Sequence, residues 1–496
     1  MRLPVWVIAF VALFLVVTNA AAQDGWVQVA SPNFTVLANG GEKRAREIAL
    51  QFERYRAAIQ NGWPWARQQL DRPVIVIAAK DEQTMKLLAP EYWEKGSRSQ
   101  PVSVFATAPD AYFIVLRSDI RDQDDLNNNP YQSAYWAYTS LALTSAFEHP
   151  LPLWFRDGFA AVLSNSIVRD DHIDFGRPPT EILRVLQTNV RLTMPEFLTL
   201  DAKSRYYTDS ATRANFDAQS WAVMHYLLYG LAQKRPDAAN QLARLLLDGK
   251  SSVDAVNEVF GSVEALDNEF VLYRQKEVYQ FMRVNASNTV SAGTFTTRPL
   301  DAQQMMAMRA RYHLAMGRTD DARSLLDTLE RRTPPPAVVF DVEAVLFDRA
   351  GQSNEARVAY AKAADGNTDS FFSLYRLASL ELPSNPDPTQ LARAEGLLRR
   401  AVSLNGAFAP AYTFLAQVLT SLNKGSEAVD IARRGAILNP ADAGARLVLA
   451  RALWAASRRD EARGQALAAR TLSDTDQERQ AVQATLDFFD RASGPR

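Results

Sequence analysis

A chain of 496 residues, 47% of them hydrophobic and 22% charged, is globular in composition and long enough for two or three domains, which excludes wholesale disorder and collagen-like structure. The 55 Lys and Arg set against 56 Asp and Glu leave a net charge of −1, so no basic field exists to hold a phosphate backbone and nucleic acid is excluded as a partner class. Cysteine is absent, which removes disulfides, thiolate metal sites and thiol nucleophiles together.

Arg2, the unbroken apolar run from Val5 to Val17 and the small residues Ala20, Ala21 and Ala22 make the pattern of a secretory signal peptide. The run is too short to span a bilayer with ~20 helical residues. Residues 1–22 are therefore expected to be cleaved, with an uncleaved anchor as the alternative, and no later stretch reaches spanning length. Export to the periplasm is expected, with release from the cell as the other possibility.

Residues 24–282 read as one α/β domain. Trp26 to Ala30 and Phe34 to Leu37 alternate around Ser31-Pro32-Asn33, which predicts a hairpin. Gly40-Gly41 opens a helix whose Ala45, Ile48, Ala49, Phe52 and Tyr55 recur at three- and four-residue spacings. Pro73 to Ala79 is a β-branched run suited to a buried strand, and the stretches from Val102 and Tyr112 form a second hairpin across Pro109-Asp110. From Tyr131 the pattern turns helical. Residues 283–302 are small, polar and without period, and read as a linker.

Beyond them the chain repeats. Ala310, Ala344 and Ala378 are 34 apart, as are Ala416 and Ala450. A second series, Ala322 to Ala356 and Ala428 to Ala462, has the same step, and Gly317, Gly351, Asn385, Asn423 and Ser457 mark the turns between the two series. The single 38-residue step coincides with a four-residue insertion at Pro386-Asp387-Pro388-Thr389. Small residues twelve apart within a 34-residue period place the closest approach of two antiparallel helices, and such pairs must stack to bury their apolar faces. On these alanines, the turn residues and Pro334 and Pro440, residues 303–474 resemble five tetratricopeptide (TPR) repeats. Residues 475–496 read as a capping helix and tail, with Ala481, Leu486 and Phe489 available to cover the last open face.

The N-terminal part carries a second resemblance, through Ala134 to Ser140, Leu151 to Ala160 and Phe216 to Leu227. These segments are similar to the secreted peptidase MA-like (gluzincin) domains of bacteria. The resemblance implies a zincin-like fold and, in an active member, two zinc-binding histidines four apart, a glutamate as general base and a further acid on the next helix. Here those positions hold Trp136 and Ser140, Ala137 and Asp157. An indole nitrogen offers no lone pair and alanine moves no proton. The four histidines, His149, His172, His225 and His313, contain no i, i+3 or i, i+4 pair. No metal and no cofactor is expected, and His225, set among Met224, Tyr226 and Leu227, reads as a core residue, as do Tyr135, Trp136 and Tyr138.

The expected architecture is an α/β zincin-like domain followed by an all-α TPR superhelix, mostly helical overall. The expected function is an exported binding scaffold, catalytically inert, that holds a protein or peptide in the repeat groove. Tyr375, Arg376, Tyr412 and Arg446 are the candidate contacts, chosen because aromatic residues and arginine most often carry binding energy. The partner is either a cell-envelope protein or the chain's own N-terminal domain. A hydrolase with an atypical site and a structural subunit of an envelope assembly are the competing readings, and the oligomeric state is left open.

Overall fold

Short β-branched and aromatic runs bounded by Pro, Asn and Gly become strands where the alternation predicts them. A computed structural model describes residues 25–493 except 67–68, 95–99, 121–127, 145–146, 189, 232–233, 286–289, 332–334 and 336. The signal-peptide segment 1–22 and Pro334 thus lie outside the described residues. Strands β1 (Trp26–Ala30) and β2 (Phe34–Ala38) form the first hairpin, β3 (Val74–Ala79) is the β-branched run, and β4 (Ser103–Thr107) and β5 (Tyr112–Arg117) form the second. A small sheet follows from β6 (Ile167–Val168), β7 (His172–Phe175) and β8 (Met282–Asn285). With β9 (Thr296–Leu300) added, the main sheet runs β4-β5-β3-β2-β1-β9; β2, β3 and β5 are parallel and the remaining neighbours antiparallel.

Residues 283–302 are therefore not a linker. Thr296–Leu300 pairs with β1 along its full length, and Met282–Asn285 pairs with β7. Strand β9 is held by its backbone pairing with β1 and by side-chain bonds such as Arg46 to Thr297, and with Thr296, Arg298 and Pro299 exposed it shows no hydrophobic period. Pro299 is tolerated because β9 is an edge strand.

The central strands are apolar on both faces. Val74, Val76, Ala78, Tyr112, Ile114 and Leu116 point to one side, and Ile75, Ile77, Ala79, Phe113 and Val115 to the other, all buried. Such a sheet needs a layer on each side. The first side packs on helices Glu42–Gly62, Gln132–Ala142, Leu153–Ser164 and Ser210–His225. Within that layer, Gly158 lets the last two helices meet: a Cβ there lies 2.5 Å from the Ser220 carbonyl oxygen. The second side is covered by Glu82–Leu88 and by the first repeat helix, Ala302–Ala315. Met305 and Tyr312 of that helix are buried on the sheet with Met308 and Ala315 beside them, while Ala307, Ala310 and Leu314 face the next repeat helices. One helix thus serves two cores.

The repeats follow the predicted register. Pairs are Ala302–Ala315 with Thr319–Glu330, Ala337–Arg349 with Ser353–Asp365, Phe371–Glu381 with Pro388–Leu404, Ala409–Ser421 with Gly425–Leu438, and Ala443–Ala455 with Arg459–Leu472. All nine alanines of the two series are completely buried. Gly317, Gly351, Asn423 and Ser457 have positive φ, the left-handed residue that ends a helix. Behind each, the next amide donates back to the carbonyls of His313, Phe347, Leu419 and Leu453. Asn385 departs from this, because the inserted segment re-enters the helix through an Asp387 capping box instead. Helix Asp476–Ser493 closes the stack, with the Phe489 ring lying flat on Trp454 at 4.2 Å. No helix among the described residues is long and apolar enough to cross a membrane.

His225 is a core residue, as its neighbours predict. Its Nδ1 accepts from the Tyr273 hydroxyl at 2.7 Å and its Nε2 donates to the Gly176 carbonyl at 2.9 Å, an assignment that holds for the neutral ring. Burial lowers its pKa to about 4. The native chain therefore binds fewer protons at this site than the unfolded chain between about pH 4 and pH 6.5, so the site's contribution to stability is present above that window and lost below it. In urea unfolding, the stability advantage of wild type over His225→Gln should shrink as pH falls through this window; an advantage that grows contradicts the assignment.

Candidate functional site

The rim loops at the N-terminal ends of β2, β3 and β5 face the inner wall of the repeats and enclose a cleft of about 910 Å³. A cavity of this volume is at the upper end of the range for small-ligand sites and has room for a short peptide segment. Each rim loop is fixed by its own polar groups. Glu53, 2% exposed, accepts from Ser31 Oγ at 2.7 Å and from the Asn33 amide and Nδ2, both at 2.8 Å, which holds the Ser31-Pro32-Asn33 turn. Asp71 accepts from the Tyr112 hydroxyl at 2.7 Å and pairs with Arg72, which also donates to the Ala108 carbonyl at 2.8 Å. Burial beside Asp71 pushes the Tyr112 hydroxyl far above its ordinary pKa, so it stays a donor.

The opposite wall comes from the repeats. Arg311 pairs with Asp110 across the cleft, Arg349 donates to the Leu314 carbonyl, and Asn405 Nδ2 donates to the Asp71 carbonyl at 2.8 Å. Val342 and Val345 give this wall an apolar floor, and Leu404 and Ile437 stand exposed at 46% and 57%. Asp341 lies in the same wall and is buried. Its Oδ2 accepts from Thr368 Oγ1 at 2.7 Å, whereas its Oδ1 has no partner among the described residues. Burial raises its pKa to about 6, opposed by the Ser373 and Thr368 hydroxyls and by Arg311 and increased by the neighbouring Asp369. Tyr138, the middle of the degenerate zinc motif, also lines the cleft.

The sequence-predicted groove contacts sit elsewhere. None of Tyr375, Arg376, Tyr412 and Arg446 lines this cleft. Tyr375 packs among Phe372, Phe408 and Phe414, with the Phe408 ring edge-on at 5.2 Å. Arg376 holds Asp348 through two bonds of 2.7 Å. Tyr412 is half-buried beside Gly406 and Gly435, and Arg446 reaches Glu148 of the N-terminal lobe at 3.4 Å. These aromatic and arginine side chains are used between helices or between lobes. The acid Asp341 stands with Glu343 in the otherwise apolar run Ala337–Leu346, three residues before Ala344.

The zinc-motif positions form no metal-ligand set. Trp136 is half-buried, not core: helix Gln132–Ala142 turns Ala134, Tyr135, Tyr138 and Ala142 inward, which leaves positions 136 and 140 together at the boundary. Ala137 is buried, and Ser140 Oγ is buried without a partner among the described residues. Asp157, 2% exposed, is held by Arg156 at 2.8 Å and Arg213 at 3.1 Å. Arg156 also donates to the Tyr207 hydroxyl, and Arg213 stacks 3.9 Å over the Tyr207 ring while pairing with Asp217. Two guanidiniums thus occupy the carboxylate that the resemblance assigns to zinc, and the residues present do not fit that ion. Among the described residues no group of three or more His, Cys, Asp or Glu is placed to hold a metal.

Compared with known proteins, the chain matches no family model and no curated protein. Among solved structures it is similar to the crystal structure of MamA, with 20% identity over 34% of this chain and 91% of that one and a TM-score of 0.28. It is also similar to YrrB, described as a TPR protein with an unusual peptide-binding site, with 18% identity over 36% of this chain and 90% of that one and a TM-score of 0.31. A third is TTC0263, a thermophilic TPR protein of Thermus thermophilus, with 20% identity over 37% and 99% of the two chains and a TM-score of 0.27. Each likeness spans about a third of this chain. None of the comparisons supports the peptidase-like assignment of the N-terminal lobe.

Removing the negative charge at position 157 leaves two partly buried cations facing each other. Asp157→Asn should cost about 2 kcal/mol of stability, reduced from a fully buried pair because both arginines are a quarter exposed. A urea midpoint equal to wild type contradicts a structural role for this cluster.

Proposed function

We propose that the chain is a binding scaffold that holds an extended protein segment in the cleft between its N-terminal lobe and the inner wall of its repeats. The observation that carries the reading is the cleft itself, lined by the exposed apolar side chains Leu404 and Ile437 and by the carboxylates of Asp341 and Asp369, which have no salt bridge among the described residues. Apolar contact combined with a few fixed polar groups is what a peptide site requires. The N-terminal lobe acts as a wall of the site, not as a catalyst: its zinc-motif positions offer no general base, and its one acid is neutralised by arginine. The gluzincin-like origin of the lobe and its export rest on the sequence, the latter on the residues 1–22 pattern.

Dodecapeptides selected on immobilised protein from a random display library test this reading. Their affinity should fall about tenfold, near 1.4 kcal/mol, on Leu404→Glu with Ile437→Glu, and should not change on Leu467→Glu, which alters an exposed apolar residue outside the cleft. Equal loss on both variants contradicts the cleft. Stoichiometric zinc together with casein cleavage that stops on chelation contradicts the inert lobe.

A further inference from the structure

The charges around the cleft are unevenly satisfied. Among the described residues every arginine in its lining has an acceptor: Arg72 has Asp71 and the Ala108 carbonyl, Arg311 has Asp110, Arg349 has the Leu314 carbonyl and Arg56 has Gln60. Asp71 and Asp110 are thereby paired. Among the described residues two lining carboxylates remain, Asp341 and Asp369, the second close enough to raise the proton affinity of the first, and neither has a salt bridge. Asp369 is exposed at the start of helix Phe371–Glu381. Asp341 is only 7% exposed, and its Oδ1 has no partner among the described residues.

A buried carboxylate with an unused oxygen carries a desolvation cost that a cation can offset. Arg311, the nearest basic group from the packed elements, is already engaged by Asp110 and leaves Asp341 with only the hydroxyls of Thr368 and Ser373. On the reading that the cleft binds an extended segment, we infer that the segment carries a lysine or arginine side chain seated against Asp341 and Asp369, next to an apolar residue that meets Leu404 and Ile437. Two carboxylates give a cation site and repel acidic segments, so the pair sets specificity as well as affinity. Protonation of Asp341 near its raised pKa of about 6 removes part of this attraction, and binding of a basic segment weakens as pH falls below that value.

The same dodecapeptide library, selected on wild type and on Asp341→Asn/Asp369→Asn, tests the inference. Wild type should enrich sequences with Lys or Arg at a fixed offset from an apolar residue, and the double variant should lose that enrichment. A selected Lys peptide should bind the variant about tenfold more weakly, while its Lys→Met analogue binds both proteins alike. Asp369→Asn alone, at an exposed position, keeps the test decisive if the buried substitution unfolds the chain. Peptides that need Leu404 and Ile437 but show no basic preference overturn the inference and leave the binding function standing. Failure to select any peptide overturns both.

Discussion

Strand β3 is apolar on both sides, and everything larger in the molecule follows from the need to cover it twice. The helical layer of the N-terminal lobe buries one face. The other is buried by Glu82–Leu88 together with Ala302–Ala315, a helix that belongs by sequence to the repeats. Its two apolar stripes, Met305-Met308-Tyr312-Ala315 and Ala307-Ala310-Leu314, lie on different faces and seat it between two bodies, while Gln304, Arg309 and Arg311 keep the rest of its surface polar. Because β9 runs directly into it from the edge of the sheet, the junction has strand pairing on one side and core packing on the other. The repeats are thus rooted in the sheet.

That root fixes the position of the cleft. Once the first pair lies on the sheet, each later pair advances along the stack, and its inner wall passes over the loops at the N-terminal ends of the parallel strands. Asn405 touches Asp71 from the third pair, and Arg446 touches Glu148 from the fifth. The groove that an isolated repeat array leaves open to solvent is here half-roofed by the lobe. Ligands of open α/β sheets gather at the carboxyl ends of the strands, and this cleft lies at the opposite end, so the repeats and not the sheet topology create the site. The acid Asp157, on the helix Leu153–Ser164 of the same lobe, is meanwhile taken up by two arginines.

Much of this was legible in the sequence because it is local. The hairpins, the helix after Gly41 and the 34-residue register follow from alternation, from three- and four-residue spacings, and from alanines at the points where helix axes come closest. The positive-φ turn residues were visible for the same reason, since only a few residue types occupy that conformation cheaply. What sequence reasoning missed is non-local. The 283–302 segment carries no hydrophobic period because β9 is an edge strand with Thr296, Arg298 and Pro299 exposed. Trp136 was read as core together with Tyr135 and Tyr138, whereas the turn of its helix leaves it at the boundary. The groove residues Tyr375 and Arg376 were chosen by residue type, and their neighbours Phe408 and Asp348, 28 or more positions away, take them up. The cleft has two walls from distant parts of the chain, and its key acid, Asp341, acquires meaning only when both are in place.

The claim that one helix completes the sheet is tested most directly by urea unfolding of two N-terminal fragments, one ending at Leu300 and one at Arg331. The shorter leaves the sheet face around Phe113 covered only by Glu82–Leu88, and should show no cooperative transition; the longer restores the second covering helix and its partner and should unfold cooperatively. A fragment ending at Leu300 that unfolds cooperatively as a monomer, with the stability of the longer one, contradicts the account.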